Sequence, residues 1–298
     1  MKRRHFLGYF LLFLVGCTGV QTANGDRLDR QKLPDPEQLR FAVTDVRGLE
    51  KLTENYDNFR QSLATVLGVP ITFIPVENMS DAVLALQSNR VDLVLAGPSE
   101  YVAIRSRTNA IGAIAITRPN YYSTIAVPDD SPIRSLSDLK GKILALSDIG
   151  STSGHLGPTK MLIDAGLDPK TDVTLLMLGD EGSVAALKNG EVDAWGGSAV
   201  DYETFFAADS ATAPQFRQIA KGPPLPSDLF ILSSRFSPEL VAQLRDLMSS
   251  HQDTLVQALA LGESTSKYRG SQLVPTQDSD YDVIREVYQA IGQGDFIR

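Results

Sequence analysis

Residues 142–167 read KILALSDIGSTSGHLGPTKMLIDAGL. The apolar run at 142–147 predicts a buried strand, and residues 154–165 have the spacing of a helix that Gly166 ends. A strand, a glycine-containing turn and a helix in this order form the repeating unit of α/β folds with mostly parallel sheets.

The turn between this strand and helix contains Gly150 and three consecutive hydroxyl residues, Ser151, Thr152 and Ser153. A helix N-terminus has unpaired N–H groups and a partial positive charge, and hydroxyls there add further donors. The pattern predicts a site for a tetrahedral oxyanion that needs no Lys or Arg. It also fits an ordinary helix N-cap with spare serines.

The same alternation of strands and helices extends in both directions from this stretch. Further predicted strands lie at 39–44, 71–76, 91–96, 110–117, 123–128, 173–178, 192–195, 216–221 and 229–234. Predicted helices lie at 56–67, 80–89 with Ser80 as N-cap, 99–107, 183–187, 238–250, 254–261 and 281–291. Late helices without further strands indicate that the chain returns to its first unit.

This order predicts an α/β protein of two lobes, each a mostly parallel sheet flanked by helices. Lobe 1 comprises residues 38–121 plus 229–298, and lobe 2 comprises residues 122–228. Two hinge crossovers join them, and the second is rich in Gly and Pro. Two lobes joined in this way enclose a cleft, where ligands bind preferentially and which a hinge motion can close.

The N-terminus predicts export. Basic residues precede an apolar run at 6–15, which is too short to span a bilayer but suits a signal peptide at 1–17. Its end resembles the bacterial lipobox, which implies that Cys17 carries a lipid. The alternative is an incidental cysteine near an ordinary cleavage site. The Arg3-Arg4 pair also resembles a twin-arginine signal, so the export route stays open.

Residues 18–37 are polar and without periodicity, as in a flexible tether. We therefore expect the folded body on the periplasmic side of the cytoplasmic membrane, or at the cell surface, held by lipid alone.

Composition argues against several function classes. The chain has 298 residues and a net charge of -8, without the basic stripe that nucleic-acid binding needs. Its three histidines, His5, His155 and His251, are too few for most His-rich metal sites. His155 beside Ser153 suggests a nucleophile pair, but adjacent helix positions point to different faces. We expect no catalysis, no cofactor and no metal.

The run STSGHLGP at 151–158, followed by LIDAGL at 162–167, resembles the phosphonate, phosphite and phosphate binding proteins of ABC importers. Matching segments occur in the same order at 89–94, 121–123, 189–194 and 226–228. The resemblance covers residues 38–295. It implies a type II periplasmic-binding fold and a monomer that delivers its ligand to an ABC transporter permease.

The resemblance also implies site residues. The triplet Ser151, Thr152 and Ser153 matches the family's oxyanion-binding residues, and Tyr121 matches an aromatic that faces the ligand. Asp201 and Asp228 match acids that hold the ammonium group in aminoalkyl-phosphonate binders.

Two positions depart from the family pattern. Asp180 stands where the family often has a His, and Met79 stands where it often has a Tyr. An ionised carboxylate only accepts hydrogen bonds, so Asp180 favours a protonated phosphorus oxyanion over sulfate. The alternative is a surface acid that touches nothing. Met79 removes a polar group, which weakens the case for an aminoalkyl substituent and suits a smaller ligand or an alkyl-phosphonate.

Two function classes follow. The first is a solute-binding lipoprotein of an ABC importer. The second is a sensor of the same fold, which reports a phosphorus or other small oxyanion to a signalling partner instead of transporting it.

Overall fold

The computed structural model describes residues 37–207 and 215–297. The predicted signal peptide, Cys17 and nearly all of the predicted tether lie outside the described residues. Within these two ranges, no helix has the length and apolar character needed to cross a bilayer.

The elements alternate as the sequence predicts. The strands are β1 (Leu39–Val43), β2 (Ile71–Phe73), β3 (Leu93–Ala96), β4 (Ile111–Ile116), β5 (Tyr122–Pro128), β6 (Ile143–Leu146), β7 (Thr174–Met177), β8 (Ala194–Ser198), β9 (Phe216–Pro224), β10 (Asp228–Leu232) and β11 (Leu273–Val274). The α-helices are α1 (Leu49–Leu67), α2 (Met79–Gln87), α3 (Pro98–Thr108), α4 (Gly157–Asp164), α5 (Gly179–Lys188), α6 (Ala199–Tyr202), α7 (Pro238–Ser250), α8 (Gln252–Leu259) and α9 (Asp282–Ala290).

The strands form two sheets, which define the first and second lobes. The first sheet has the order β11-β4-β10-β3-β1-β2, and the second has the order β7-β6-β8-β5-β9. β1 is parallel to β2 and β3, and β6 is parallel to β7 and β8. The two-lobed α/β fold is therefore confirmed.

The antiparallel strands lie where the chain changes sheets. It passes from β4 to β5 and returns from β9 to β10, which inserts antiparallel between β3 and β4. Asp228, assigned to the end of lobe 2, is instead the first residue of β10 in the first sheet. The exact lobe limits stay a prediction.

Apolar layers cover both faces of the first sheet. On one face, Phe59 of α1 stacks on Phe230 of β10 with ring centroids 5.4 Å apart. On the other, Tyr101 of α3 meets Tyr281 edge to face at 4.8 Å. The strands between these layers read as continuous apolar runs because both their faces are buried.

Three local expectations are wrong. Asn78, not Ser80, caps α2, since its side chain accepts a hydrogen bond from Asp81 N–H and the helix starts one residue earlier. The helix predicted from Gly154 begins instead as one π-helical turn, Thr152–Leu156, before α4. The late helices are interrupted by the short strand β11.

Candidate functional site

Sheet topology brings the predicted site residues of the second lobe together. β6, β7 and β8 are adjacent and parallel, so the segments that follow them meet at one edge of the sheet. The 151–153 turn follows β6, Asp180 follows β7, and Asp201 follows β8. Ligands of open α/β sheets bind outside the carboxyl ends of the strands.

Close packing fixes the turn. Ser151 Oγ accepts a hydrogen bond from Gly154 N–H at 3.1 Å, and Ser123 Oγ donates to the Ser153 carbonyl at 2.9 Å. A Cβ atom at Gly154 would overlap the Ser147 side chain, and one at Gly157 would overlap Ser123. These two glycines are therefore required for the turn to lie against β5 and β6.

Thr152 joins the turn to the first lobe. Its Oγ1 accepts a hydrogen bond from Ser99 N–H at 3.2 Å and donates to Ser99 Oγ at 3.0 Å, and all these atoms are buried. Ser99 lies in the first turn of α3, so the N-termini of two helical segments face each other here. Leu156 of the turn is fully buried in an apolar cluster with Tyr101, Tyr281 and other first-lobe residues.

His155 has a structural position within the turn. Its buried Nδ1 accepts a hydrogen bond from Gly150 N–H at 3.0 Å. Burial lowers the pKa of His155, which favours the neutral ring with its proton on Nε2. The imidazole stabilises the turn in which Gly150 has a φ of 88°.

Two acids of the second lobe lie beside the turn. Asp180 Oδ1 accepts a short hydrogen bond from Ser147 Oγ, and Ser147 packs against Gly154. Asp201 and Ser198 cap α6 reciprocally, with Asp201 N–H donating to Ser198 Oγ at 3.0 Å. Burial raises the pKa of Asp201, and the nearby charge of Asp180 raises it further.

Tyr121 and Asp228 meet through an arginine on the first-lobe side of the cleft. The Arg118 guanidinium lies 3.7 Å from the centroid of the Tyr121 ring, and its Nη1 lies 3.7 Å from Asp228 Oδ1. Burial raises the pKa of Tyr121, and the Arg118 charge and the nearby Thr152 hydroxyl oppose this shift. Tyr268 donates to Asp228 Oδ2 at 2.7 Å. Asp228 Oδ1 is buried and has no hydrogen-bond partner among the described residues.

Lys267 is a second cation near Asp228. Lys267 Nζ lies 2.5 Å from Asp45 Oδ2 and 4.0 Å from Asp228 Oδ2, while Tyr56 donates to Asp45 Oδ1 at 2.9 Å. Desolvation would raise the pKa of Asp45, but Lys267 outweighs this effect and lowers it. Asp45 is therefore held ionised by its own partner.

Glu100 is a third acid close to Asp45 and Asp228. Its Oε2 accepts hydrogen bonds from Gly97 N–H at 2.8 Å and Thr44 Oγ1 at 2.6 Å. Burial raises the pKa of Glu100, and the charges of Asp45 and Asp228 add to the shift. Uptake of a proton by Glu100 relieves repulsion among the three acids.

The structure thus brings residues 151–153, Tyr121, Asp180, Asp201 and Asp228 close to one another. Met79 is the first residue of α2 and lies half-buried against the apolar cluster that contains Leu156. Whether any of these side chains contacts a ligand stays a prediction.

Sequence reasoning missed Arg118, Lys267, Asp45 and Glu100. Three of them closely follow the carboxyl ends of first-sheet strands, so position after a strand was the signal available. Lys267 lies in a single 3-10 turn between α8 and β11, and no sequence pattern marks it. Across the described ranges, no group of three or more His, Cys, Asp or Glu side chains could hold a metal ion.

The family model described as "ABC transporter, phosphonate, periplasmic substrate-binding protein" matches residues 41–281. The chain belongs to this family. Proteins of the phosphonate-binding family are periplasmic components that bind substrate for transport, not enzymes. The resemblance seen in residues 151–167 is therefore confirmed.

Relatives agree with membership of the phosphonate-binding family. The chain is 26% identical to the phosphate-import protein PhnD of Mycolicibacterium smegmatis over 86% of this chain and 87% of that protein. Its fold is similar to that of XAC2383 from Xanthomonas citri bound to ATP, with a TM-score of 0.68, 20% identity and coverage of 88% and 99%. It is also similar to PhnD1 from Prochlorococcus marinus in complex with methylphosphonate, with a TM-score of 0.65, 19% identity and coverage of 87% and 100%.

Proposed function

We propose that this protein binds a small phosphorus oxyanion, namely a phosphonate, phosphite or phosphate, on the 151–153 turn and delivers it to the permease of an ABC importer. The observation that carries the proposal is the position of Thr152, whose hydroxyl joins the turn to Ser99 of the opposite lobe. An anion held by the turn therefore lies where the two lobes meet, as lobe closure around a ligand requires.

The donors at this position suit a tetrahedral anion. The turn offers the hydroxyls of Ser151 and Ser153 together with N–H groups at the start of a helical segment. Such groups bind phosphate-like anions without a direct ion pair. The names of the relatives support this ligand class, because one imports phosphate and another was solved with methylphosphonate.

Asp180 selects the protonation state of the ligand in this proposal. The carboxylate is exposed at the cleft edge and is tied through Ser147 to the base of the turn. It accepts the O–H of a protonated phosphorus oxyanion and repels sulfate, which has no proton to donate at neutral pH. Equal affinities for sulfate and phosphate in calorimetry would count against this role.

We further propose that the protein is a lipid-anchored monomer, attached through Cys17 on the periplasmic side of the cytoplasmic membrane or at the cell surface. The proposal rests on the lipobox-like end of the signal sequence. Mass spectrometry of the membrane-bound protein tests it, since a Cys17→Ser variant should lose both the lipid mass and the membrane association.

A thermal-shift panel tests the ligand proposal. We expect stabilisation by phosphate, phosphite or methylphosphonate, amounting to about 2.7 kcal/mol at a hundredfold excess over Kd. Ser151→Ala should lose most of the ligand-induced shift. Ser237→Ala is the matched control, because Ser237 caps α7 in the same way, accepting from Leu240 N–H at 3.3 Å.

The comparison uses the shift that ligand causes in each variant, since both substitutions also remove a helix cap worth about 1 kcal/mol. An unchanged ligand shift in Ser151→Ala would refute the assignment of the turn. An absence of any shift with all phosphorus oxyanions in the wild type would refute the function.

A further inference from the structure

Arg118 lies beside Asp228, a buried acid of the first lobe. Its Nη1 lies 3.7 Å from Asp228 Oδ1, and its charge also lowers the pKa of Asp201 against the larger effect of burial. Asp228 belongs to the first lobe and Asp201 to the second. The guanidinium therefore lies within electrostatic reach of a carboxyl group from each lobe.

The ring of Tyr121 fixes the guanidinium there. Arg118 stacks on this ring at 3.7 Å, and Tyr121 is close enough to the oxyanion turn for the Thr152 hydroxyl to lower its pKa against the larger effect of burial. The Arg118 side chain is only 18% exposed, so its charge is poorly screened by water. A cation stacked on an aromatic ring and paired with a buried acid keeps a defined position.

Two cations lie near Asp228, and Arg118 Nη1 at 3.7 Å is closer to it than Lys267 Nζ at 4.0 Å. Asp45 is paired with Lys267, and Glu100 has a raised pKa caused by burial. Asp180 accepts from Ser147 at the base of the oxyanion turn. Two carboxylates next to an anion site would otherwise attract a positively charged substituent on the ligand.

We propose that Arg118 is a specificity-determining residue that takes the place of a cationic substituent, so that the site accepts phosphorus oxyanions with an uncharged substituent or none and rejects aminoalkyl phosphonates. This inference rests on the proposed function. An ammonium group entering the cleft would meet the guanidinium at close range, where like charges in a poorly hydrated site repel strongly. It would also find Asp228 already paired with Arg118, Lys267 and Tyr268.

Calorimetry with a matched pair of ligands tests the inference. Propylphosphonate and 2-aminoethylphosphonate have the same chain length and differ in a terminal methyl or ammonium group. We expect the wild type to bind propylphosphonate at least tenfold more tightly. Arg118→Gln should reduce this ratio at least tenfold, because the guanidinium no longer repels the ammonium group and Lys267 is then the cation left beside Asp228. Arg118→Lys keeps the charge and should retain the preference.

Lys221→Gln is the control variant. Lys221 Nζ lies 3.6 Å from the centroid of the Tyr122 ring, so it is also a cation on a tyrosine, but it is exposed on β9. This variant should leave the ratio unchanged. Equal affinities of the wild type for the two ligands, or an unchanged ratio in folded Arg118→Gln, would overturn the inference.

If Arg118→Gln fails to fold, the affinity ratio of the wild type for the two phosphonates still tests whether the site rejects the ammonium group. The ratio in Arg118→Lys then tests whether a positive charge at this position retains the preference. Failure of the wild type to bind either ligand, phosphate or phosphite is a different result, which refutes the proposed function and the inference that rests on it.

Discussion

Replacement of Thr152 by Val tests the contact that joins the oxyanion turn to the first lobe. The two side chains have the same shape, so the change removes a hydroxyl without opening a cavity. Ser99 N–H then loses its acceptor at 3.2 Å, and Ser99 Oγ loses the donor at 3.0 Å.

The expected cost follows from burial. A buried N–H group without an acceptor costs about 1–3 kcal/mol, and the hydrogen bond lost by Ser99 Oγ adds about 1 kcal/mol. The free energy of unfolding should therefore fall by about 2–4 kcal/mol. For a protein of this size, each kcal/mol corresponds to a decrease in Tm of about 2–4 °C.

Urea unfolding followed by circular dichroism measures this loss, and calorimetry with methylphosphonate measures the accompanying loss of affinity. Thr65→Val is the control, because Thr65 is exposed on α1 and donates only to the Gln61 carbonyl at 3.0 Å. It should change stability by less than about 0.5 kcal/mol. A Thr152→Val variant as stable as Thr65→Val would refute the reasoning that these hydrogen bonds are buried and join the lobes.

Three further predictions concern packing and titration. Gly157→Ala should lower stability by about 1–3 kcal/mol and weaken methylphosphonate binding, because its Cβ overlaps the Ser123 side chain; a normal urea midpoint would contradict this. Burial would raise the pKa of Asp92, but hydrogen bonds led by those of Arg40 lower it. The lowered pKa of Asp92 contributes stability that is present above about pH 3.9, the pKa of Asp in the unfolded chain, and is lost as pH falls through the folded pKa. Asp92→Asn should therefore lower the free energy of unfolding by about 3–5 kcal/mol at pH 7 and by much less in acid. Burial raises the pKa of Glu100. Its contribution to stability is therefore largest below about pH 4.3, the pKa of Glu in the unfolded chain, and is lost as pH rises through the folded pKa. As pH rises, the free energy of unfolding should therefore fall less steeply in Glu100→Gln than in the wild type. Parallel pH profiles of the two proteins would contradict the raised pKa of Glu100.

Local patterns were sufficient to predict the fold and to propose a candidate anion site. The 142–167 stretch predicts strand, turn and helix because β6 and α4 have uniform periodicity and a glycine between them. The hydroxyl triplet predicts an anion site because helix N-termini have unpaired donors wherever they occur. The late strand β11 has only two residues, which is too short for any periodic signal.

Contacts between distant residues were beyond these patterns. Arg118 meets Asp228 across 110 positions of sequence, and only the return of β10 beside β4 brings them together. Leu156 has the helical spacing of a residue packed on its own sheet, yet it packs into the cluster of the opposite lobe. Long-range pairing of charges depends on tertiary geometry, so Lys267 could not be assigned from its neighbours in sequence.

A crystal structure of the protein with methylphosphonate tests whether the 151–153 turn binds the ligand. We expect phosphonate oxygens within about 3 Å of the Ser151 and Ser153 hydroxyls and of N–H groups of the turn, which is ordinary hydrogen-bond distance. Phosphonate oxygens bound outside hydrogen-bond reach of residues 151–153, with the turn unoccupied, would contradict it.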